Sequence, residues 1–261
     1  MYREGLPSKL FLLLWILMVR KIRAFHDFPE AVQVGDVIQL TDAEGFHLSK
    51  VLRTQNNDSI EILNGKGIML AGKCFEVVRN NLKVMVKEKK IISASSPQFH
   101  IGVALTKGKQ WEDLIRPLTE LGAFRISPLL TERTEVRQTK EKLIIKHEKW
   151  RKFSSEACKQ SGNPWLPVID QPSSLSDFLK GYTDSDDLWI GSLNAGSQKI
   201  VASGGTDRVF ILIGPEGGWS SQEEKTFLEK DGKLFSLGPY TLRVENAAVG
   251  ALTVARTAYL P

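Results

Sequence analysis

Two stretches near the C-terminus constrain the fold more than any other part of this chain. Each runs from apolar residues through a glycine loop into a helix signal. The first is Ile211-Leu-Ile-Gly214-Pro-Glu-Gly-Gly218-Trp-Ser-Ser221. There Ser220 or Ser221, followed by Glu223 or Glu224, reads as a helix N-cap with a capping box. The second is a short apolar run over residues 233–237, a glycine at Gly238, and an alanine-rich helix expected over residues 247–258. Strands that end in glycine turns leave bare backbone N–H and C=O groups at their ends, where an α/β fold holds a small polar molecule. A single glycine loop also serves as an ordinary tight turn, so the pair carries more weight than either member.

The preceding 110 or so residues extend the same pattern. Strands are expected over residues 100–105, 125–130, 166–169, 188–193 and 209–213. Between them Trp111, Leu114, Ile115, Leu118 and Leu121 share one helical face, which Gly122 would cap. A long helix is expected over 142–160, ending near Gly162-Asn-Pro164. Alternating strands and helices imply a parallel α/β sheet. Residues 32–91 read differently, as short strands and turns with a hairpin signal at Asn64-Gly65 and alternating apolar residues on either side of Asn80-Asn81. That pattern suits a small antiparallel barrel. Ser93-Ala-Ser-Ser-Pro97 is the expected linker.

Charge separates the same two regions. Residues 1–97 hold 14 Lys/Arg against 10 Asp/Glu, and residues 98–261 hold 21 against 20, so +4 of the net +5 lies in the first part. The excess suggests a polyanionic partner there, with an ordinary solvated surface as the alternative. Two distant cysteines, Cys74 and Cys158, and four scattered histidines show no metal-ligand spacing. Metal ligation is unsupported and a reducing cytoplasm is the expected compartment. The apolar run over residues 10–19 is too short to span a bilayer, so no membrane association is expected. It is followed by Arg20-Lys-Ile-Arg23 rather than by a cleavage site. Initiation at Met18, a buried or interface segment, and a targeting segment are the three readings of this extension. Gly67-Ile-Met-Leu-Ala-Gly72-Lys73-Cys74 approaches a phosphate-binding loop but has Cys74 where a magnesium-binding hydroxyl is needed.

Several ordered motifs together resemble the bacterial family of 16S ribosomal RNA uracil-N3 methyltransferases, of the SPOUT class. They are Ile213-Gly-Pro-Glu-Gly-Gly218 with Leu237-Gly-x-x-x-Leu-Arg243-x-Glu245-x-Ala247, then Thr119-Glu-Leu-Gly122 with Pro128-Leu-Leu and Thr131-Glu-Arg133, and Glu156-Ala-Cys-Lys-Gln160-Ser-Gly162. Phe46-His47-Leu-Ser-Lys-Val-Leu-Arg53 and Asn64-Gly-Lys-Gly67 look like the family's RNA-binding, PUA-like barrel. The chain differs from the family pattern at Tyr240, Val244 and Asn246.

The resemblance runs from about Arg20 to the end; beyond the apolar extension over 1–19 and on either side of the linker over 93–97, it implies a PUA-like barrel over 20–92 and a trefoil-knotted methyltransferase domain over 98–261. It implies S-adenosylmethionine (SAM) as methyl donor, held in the knot by Leu193, by Ile213, Gly214, Pro215, Glu216, Gly217 and Gly218, and by Leu237, Gly238, Leu242, Asn246 and Ala247. It implies a homodimer and, as substrate, 16S ribosomal RNA of the small ribosomal subunit. Arg243 would stabilise negative charge on a uracil carbonyl oxygen. Glu245 would accept a proton or orient its neighbours, while a purely structural Arg243–Glu245 ion pair is the alternative. Arg20, Arg23, Arg53, Lys107 and Arg133 are candidates for RNA phosphates, each with a solvated surface role as its alternative. Trp111, Trp165 and Trp219 are either base-stacking platforms or packing residues. The same motifs also fit a non-catalytic knotted RNA-binding protein, or a SPOUT methyltransferase acting on another RNA.

Overall fold

The computed structural model describes residues 21–78, 80–106, 109–134, 140–193 and 199–260. The readings of the 1–19 extension, of Arg20 and of Lys107 lie outside the described residues. The chain divides into two compact units, one running up to Ile62 and adding Met69–Lys90, the other made of Leu63–Ile68 and the chain from Ile91 onward.

The first unit is built on a sheet of five strands: β1 (Ile22–Phe25), β2 (Val37–Leu40), β3 (Ser59–Leu63), β4 (Ile68–Val78) and β5 (Asn81–Ile91). Their order is β1-β3-β4-β5-β2. β2 pairs antiparallel with β5, from Val37 opposite Met85 to Leu40 opposite Leu82. Period-2 alternation buries Ile38 and Leu40, Leu70 and Cys74, and Leu82, Val84 and Val86. Among the described residues the path stays open, with β1 and β2 as its edges, so the expected barrel does not close there. The stretch that approaches a phosphate-binding loop runs into β4, a strand, and so meets no helix dipole. After β2 a short helix α1 (Asp42–Phe46) continues as a π-helical turn over His47–Val51, which buries Leu48.

The second unit contains β6 (Gln98–Ala104), α2 (Gln110–Asp113), α3 (Ile115–Glu120), β7 (Arg125–Leu130), α4 (Lys140–Ser161), β8 (Val168–Ile169), β9 (Ser173–Ser174) and α5 (Leu175–Leu179). β10 (Asp187–Gly191), β11 (Arg208–Ile213), α6 (Ser221–Leu228), β12 (Lys233–Phe235) and α7 (Val244–Tyr259) complete it. The sheet order is β12-β10-β11-β6-β7-β8, with β9 also on β7, and every recorded pairing is parallel. The α/β expectation therefore holds, with one local correction. The single helix expected from Trp111 to Leu121 is two helices broken at Leu114. Pro117 explains the break, because it has no N–H to donate to the Asp113 carbonyl one turn earlier.

Alternation along β11 sets the layers. Ile211 and Ile213 face a core made with Trp111, Leu118, Trp150, Ala248 and Leu252, while Phe210 and Leu212 face a second core with Phe178, Trp219 and Phe227. Each such side chain contributes about 1.5–3 kcal/mol on burial, so both faces of the sheet are strongly committed. The two cores fix where the strand ends, and therefore the glycine loops, come to lie.

Candidate active site

Because β10, β11 and β12 are parallel neighbours, the loops that follow them open at one end of the sheet. They enclose a cavity of about 290 Å³. The loop after β11 makes a tight turn, Gly218 N–H donating to Pro215 O at 2.8 Å. Gly218 has φ of +71°, a left-handed conformation that glycine adopts without penalty. Ser220 then caps α6 with the full capping box. Its hydroxyl accepts from Glu223 N–H at 3.2 Å, and the Glu223 carboxylate accepts from Ser220 N–H at 2.8 Å.

Glu223 also has a second partner. Its other oxygen accepts from the backbone N–H of Glu132 at 3.1 Å. This nearly buried carboxylate, 6% exposed, thus ties the segment after β7 to the glycine loop. Arg133, the next residue in that segment, donates from Nη1 to Gly217 O at 2.7 Å and lines the cavity. Below the loop lies Trp219, whose Nε1 donates to Gly191 O at the end of β10 at 2.9 Å.

The third wall is the loop after β12. Ser236 hydroxyl donates to Gly238 O at 3.0 Å and holds the turn, and Gly238 has φ of +141°. This loop feeds α7, whose N-cap is Arg243. Arginine has no acceptor, and no side chain caps this helix. Val244 and Ala247 place the start of this helix in the cavity wall, where the helix dipole favours negative or electron-rich groups.

Of the cofactor residues expected from the sequence, Leu193, Ile213 to Gly218, Leu237, Gly238, Leu242 and Ala247 all line this one cavity. Asn246 does not; it sits exposed on the first turn of α7. Arg243 is exposed between the lining residues Leu242 and Val244, and Glu245 is half-buried beyond them. No ion pair joins Arg243 to Glu245 among the described residues; two residues apart on a helix, their side chains diverge. Arg23 is engaged by Glu61, with Nε 2.7 Å from Oε2, and Arg53 is exposed. Burial alone would raise the Glu61 carboxyl, but its hydrogen bonds to Arg23 and Lys21 prevail and hold it below the usual carboxylate range. The tryptophans take packing roles. Trp111 and Trp219 are buried, and Trp165 donates its Nε1 to Ile92 O at 3.0 Å. The place of Arg133 in the cavity wall was not legible in the sequence, since 84 residues separate it from Gly217.

Among the described residues no group of three or more His, Cys, Asp or Glu could hold a metal ion, and no helix is long and apolar enough to cross a membrane.

Comparison with known proteins adds to this geometry. Residues 94–256 match the model of the RNA methyltransferase domain family. The ribosomal RNA small subunit methyltransferase E of Aquifex aeolicus is 32% identical over 230 residues, 88% of this chain and 98% of that protein. A Legionella pneumophila methyltransferase structure with bound SAM has 29% identity and a TM-score of 0.80, covering 92% of this chain and 98% of that one. The ribosomal RNA small subunit methyltransferase E of Neisseria gonorrhoeae, solved with S-adenosyl methionine, shares the fold at a TM-score of 0.82 and 24% identity, with the same coverage.

Proposed function

This chain belongs to the RNA methyltransferase domain family, and from that premise we propose that it methylates N3 of a specific uridine in 16S ribosomal RNA of the small ribosomal subunit. It is a SAM-dependent ribosomal RNA methyltransferase. The observation that carries the reading is the convergence of two glycine loops and an uncapped helix N-terminus on one cavity, with Arg243 at its rim.

The cavity suits SAM on its own terms. Its volume falls near the lower end of the roughly 300–1,000 Å³ typical of small-molecule sites, as a narrow cleft would. Ile213, Leu237 and Leu242 offer apolar walls for a nucleobase. Gly217 and Gly238 carry no side chain to block the cavity wall, and Gly238 has no neighbour within 4 Å of a Cβ position. When bound, SAM supplies a methyl group already activated by the adjacent sulfonium. The protein's own task is then alignment, exclusion of water and handling of the uracil N3 proton. Arg243, unpaired by Glu245 and free to reach across the rim, stabilises charge that develops on a uracil carbonyl oxygen. Glu245 accepts the proton or orients Asn246.

The finer architecture belongs to the same proposal. β12 lies outside β10, yet the following helix α7 packs back onto β6 and β11, which supports a trefoil knot in residues 98–261. Leu193 and Tyr240, 69% and 82% exposed at the cavity mouth, are suited to cover by a second copy, in a homodimer that shares the site. The N-terminal sheet serves as a PUA-like RNA-binding module over residues 20–92, and the enzyme acts in the cytoplasm on the small subunit. Arg53 and the basic residues of that module meet phosphates there, and the target base is unstacked to reach the cavity.

The test is methyl transfer from labelled SAM to small ribosomal subunits, to bare 16S RNA and to transfer RNA. Products are mapped by reverse-transcription stops, since a methyl on N3 blocks Watson–Crick pairing. A single stop at one small-subunit uridine is expected. Transfer only to transfer RNA, or to a position that leaves reverse transcription unimpeded, overturns the substrate assignment.

A further inference from the structure

At the opposite end of the parallel sheet from the SAM cavity lies a second cavity of about 380 Å³. Its back wall is three residues in register on adjacent strands: Phe210 of β11 opposite His100 of β6, and His100 opposite Arg125 of β7. The His100 ring is held between Phe124, stacked at 5.5 Å, and Phe210 at 4.8 Å. It is only 7% exposed, and its Nε2 has no hydrogen-bond partner in the protein. Arg125 Nε is likewise buried and unpartnered.

The carboxylates nearby are already engaged. Asp186 takes Arg208 bidentately, with Nε at 2.9 Å and Nη2 at 2.7 Å. Asp170 accepts from Ser127 hydroxyl at 2.5 Å and stands 3.7 Å from Arg125 Nη1. Asp177, at the outer edge, accepts from Lys180 at 2.6 Å. What remains unsatisfied is on the nitrogen side. Arg125 Nε can only donate, and neutral His100 donates from Nε2 in one of its two tautomers. A ligand oxygen that accepts a hydrogen bond would satisfy either nitrogen. Buried polar groups are rarely left without partners, and two residues carrying such nitrogens line this one cavity.

We propose that this cavity is an oxyanion site, taking a phosphate group between His100 Nε2 and the Arg125 guanidinium with Arg208 as a second positive charge. It uses no residue of the SAM cavity, so the two readings stand or fall separately. Burial, then Arg125 and Arg208, push the His100 imidazole down to about 4, with Asp186 opposing them weakly, so the ring is neutral at pH 7. A bound anion offsets the two arginine charges and makes protonation of Nε2 easier, which supplies the readout. Attraction to the arginine side chains is screened by salt, so binding weakens as salt is added, while Asp170 and Asp177 oppose the anion from the cavity wall.

The experiment follows the His100 side-chain nitrogens by long-range proton–nitrogen NMR in the full-length protein titrated with inorganic phosphate. A saturable shift of Nε2 and a raised His100 pKa are expected. Arg125→Met keeps the half-buried stem and removes the donors; it is expected to weaken phosphate binding at least about tenfold while SAM affinity stays unchanged. A parallel titration with an RNA oligonucleotide lacking terminal phosphates distinguishes the sources. A His100 shift with RNA identifies a backbone phosphodiester as the natural ligand, and a shift with inorganic phosphate alone identifies a free anion. No saturable shift with either, or equal binding by the Arg125→Met protein with an intact spectrum, overturns the proposal.

Discussion

The indole of Trp219 fills the space that a side chain on Gly214 would need. A Cβ on Gly214 would lie 2.9 Å from Trp219 Cε2 and 3.2 Å from Cδ2. The indole cannot retreat easily, because its Nε1 is bonded to Gly191 O and its ring packs edge-on against Phe227 at 4.9 Å. This glycine is required by a close approach, and its backbone torsion plays no part.

Gly214→Ala is therefore expected to displace the loop after β11. Overpacking of this kind costs about 1–3 kcal/mol, and SAM affinity should fall about tenfold or more. Calorimetric titration with SAM, beside a thermal unfolding curve, checks this. Wild-type SAM affinity in the alanine variant would mean that the loop is not the cofactor's cradle.

Arg243→Ala is expected to reduce methyl transfer about 10²–10³-fold, the usual effect of losing one charge-stabilising donor. SAM affinity should change little, because the exposed side chain is not among the cavity-lining groups. Single-turnover transfer and SAM titration separate the two effects. A parallel loss of both would make Arg243 a binding residue.

Glu223→Ala removes the acceptor of both Ser220 N–H and Glu132 N–H. Loss of the cap and of a buried bond should cost about 1–3 kcal/mol in denaturant unfolding. Release of the segment carrying Arg133 should also weaken SAM binding. Glu223→Gln keeps an acceptor oxygen and should fall between the two. Full stability in the alanine variant would show that the tie across 91 residues of sequence is not a strong one.

Asp187, at the start of β10, accepts from Lys233 at 2.8 Å, Ser203 at 2.7 Å and Tyr259 at 2.6 Å. Burial would raise its carboxyl, but the bonds from Lys233, Tyr259 and Ser203 prevail and hold it below the usual value. Burial and the Asp187 carboxylate push the Tyr259 hydroxyl well up, so it remains a donor throughout the neutral range. A lowered carboxyl stabilises the fold above its unfolded value of about 3.9 and loses that contribution as pH falls through the folded value. Asp187→Asn should thus destabilise at pH 7, with the deficit shrinking as pH drops below about 4. A deficit independent of pH down to acid unfolding would contradict this.

The glycine loops, the cap at Ser220 and the helix over α7 were legible because each is a local device. A capping box needs four consecutive positions, and an apolar period needs only its own strand or helix. The break at Leu114 was missed for a local reason as well: apolar spacing across Trp111 to Leu121 is helical, and only the absent N–H of Pro117 interrupts it. The closed barrel expected of residues 32–91 does not form among the described residues, because alternation sets which face of a strand is buried and says nothing about how the two edge strands end.

Short-range patterns in the residues were enough for the alternation of strands and helices, for the glycine loops that wall the cavity and for the family to which the chain belongs. The tertiary structure alone decided that Arg133 and Glu132 reach the glycine loop, that Trp219 serves as its floor, and that His100, Arg125 and Phe210 stand side by side at the far end of the sheet. Those neighbours are separated by tens of residues and are brought together by strand order. That order depends on which buried faces fit against one another, a property no local stretch of sequence carries.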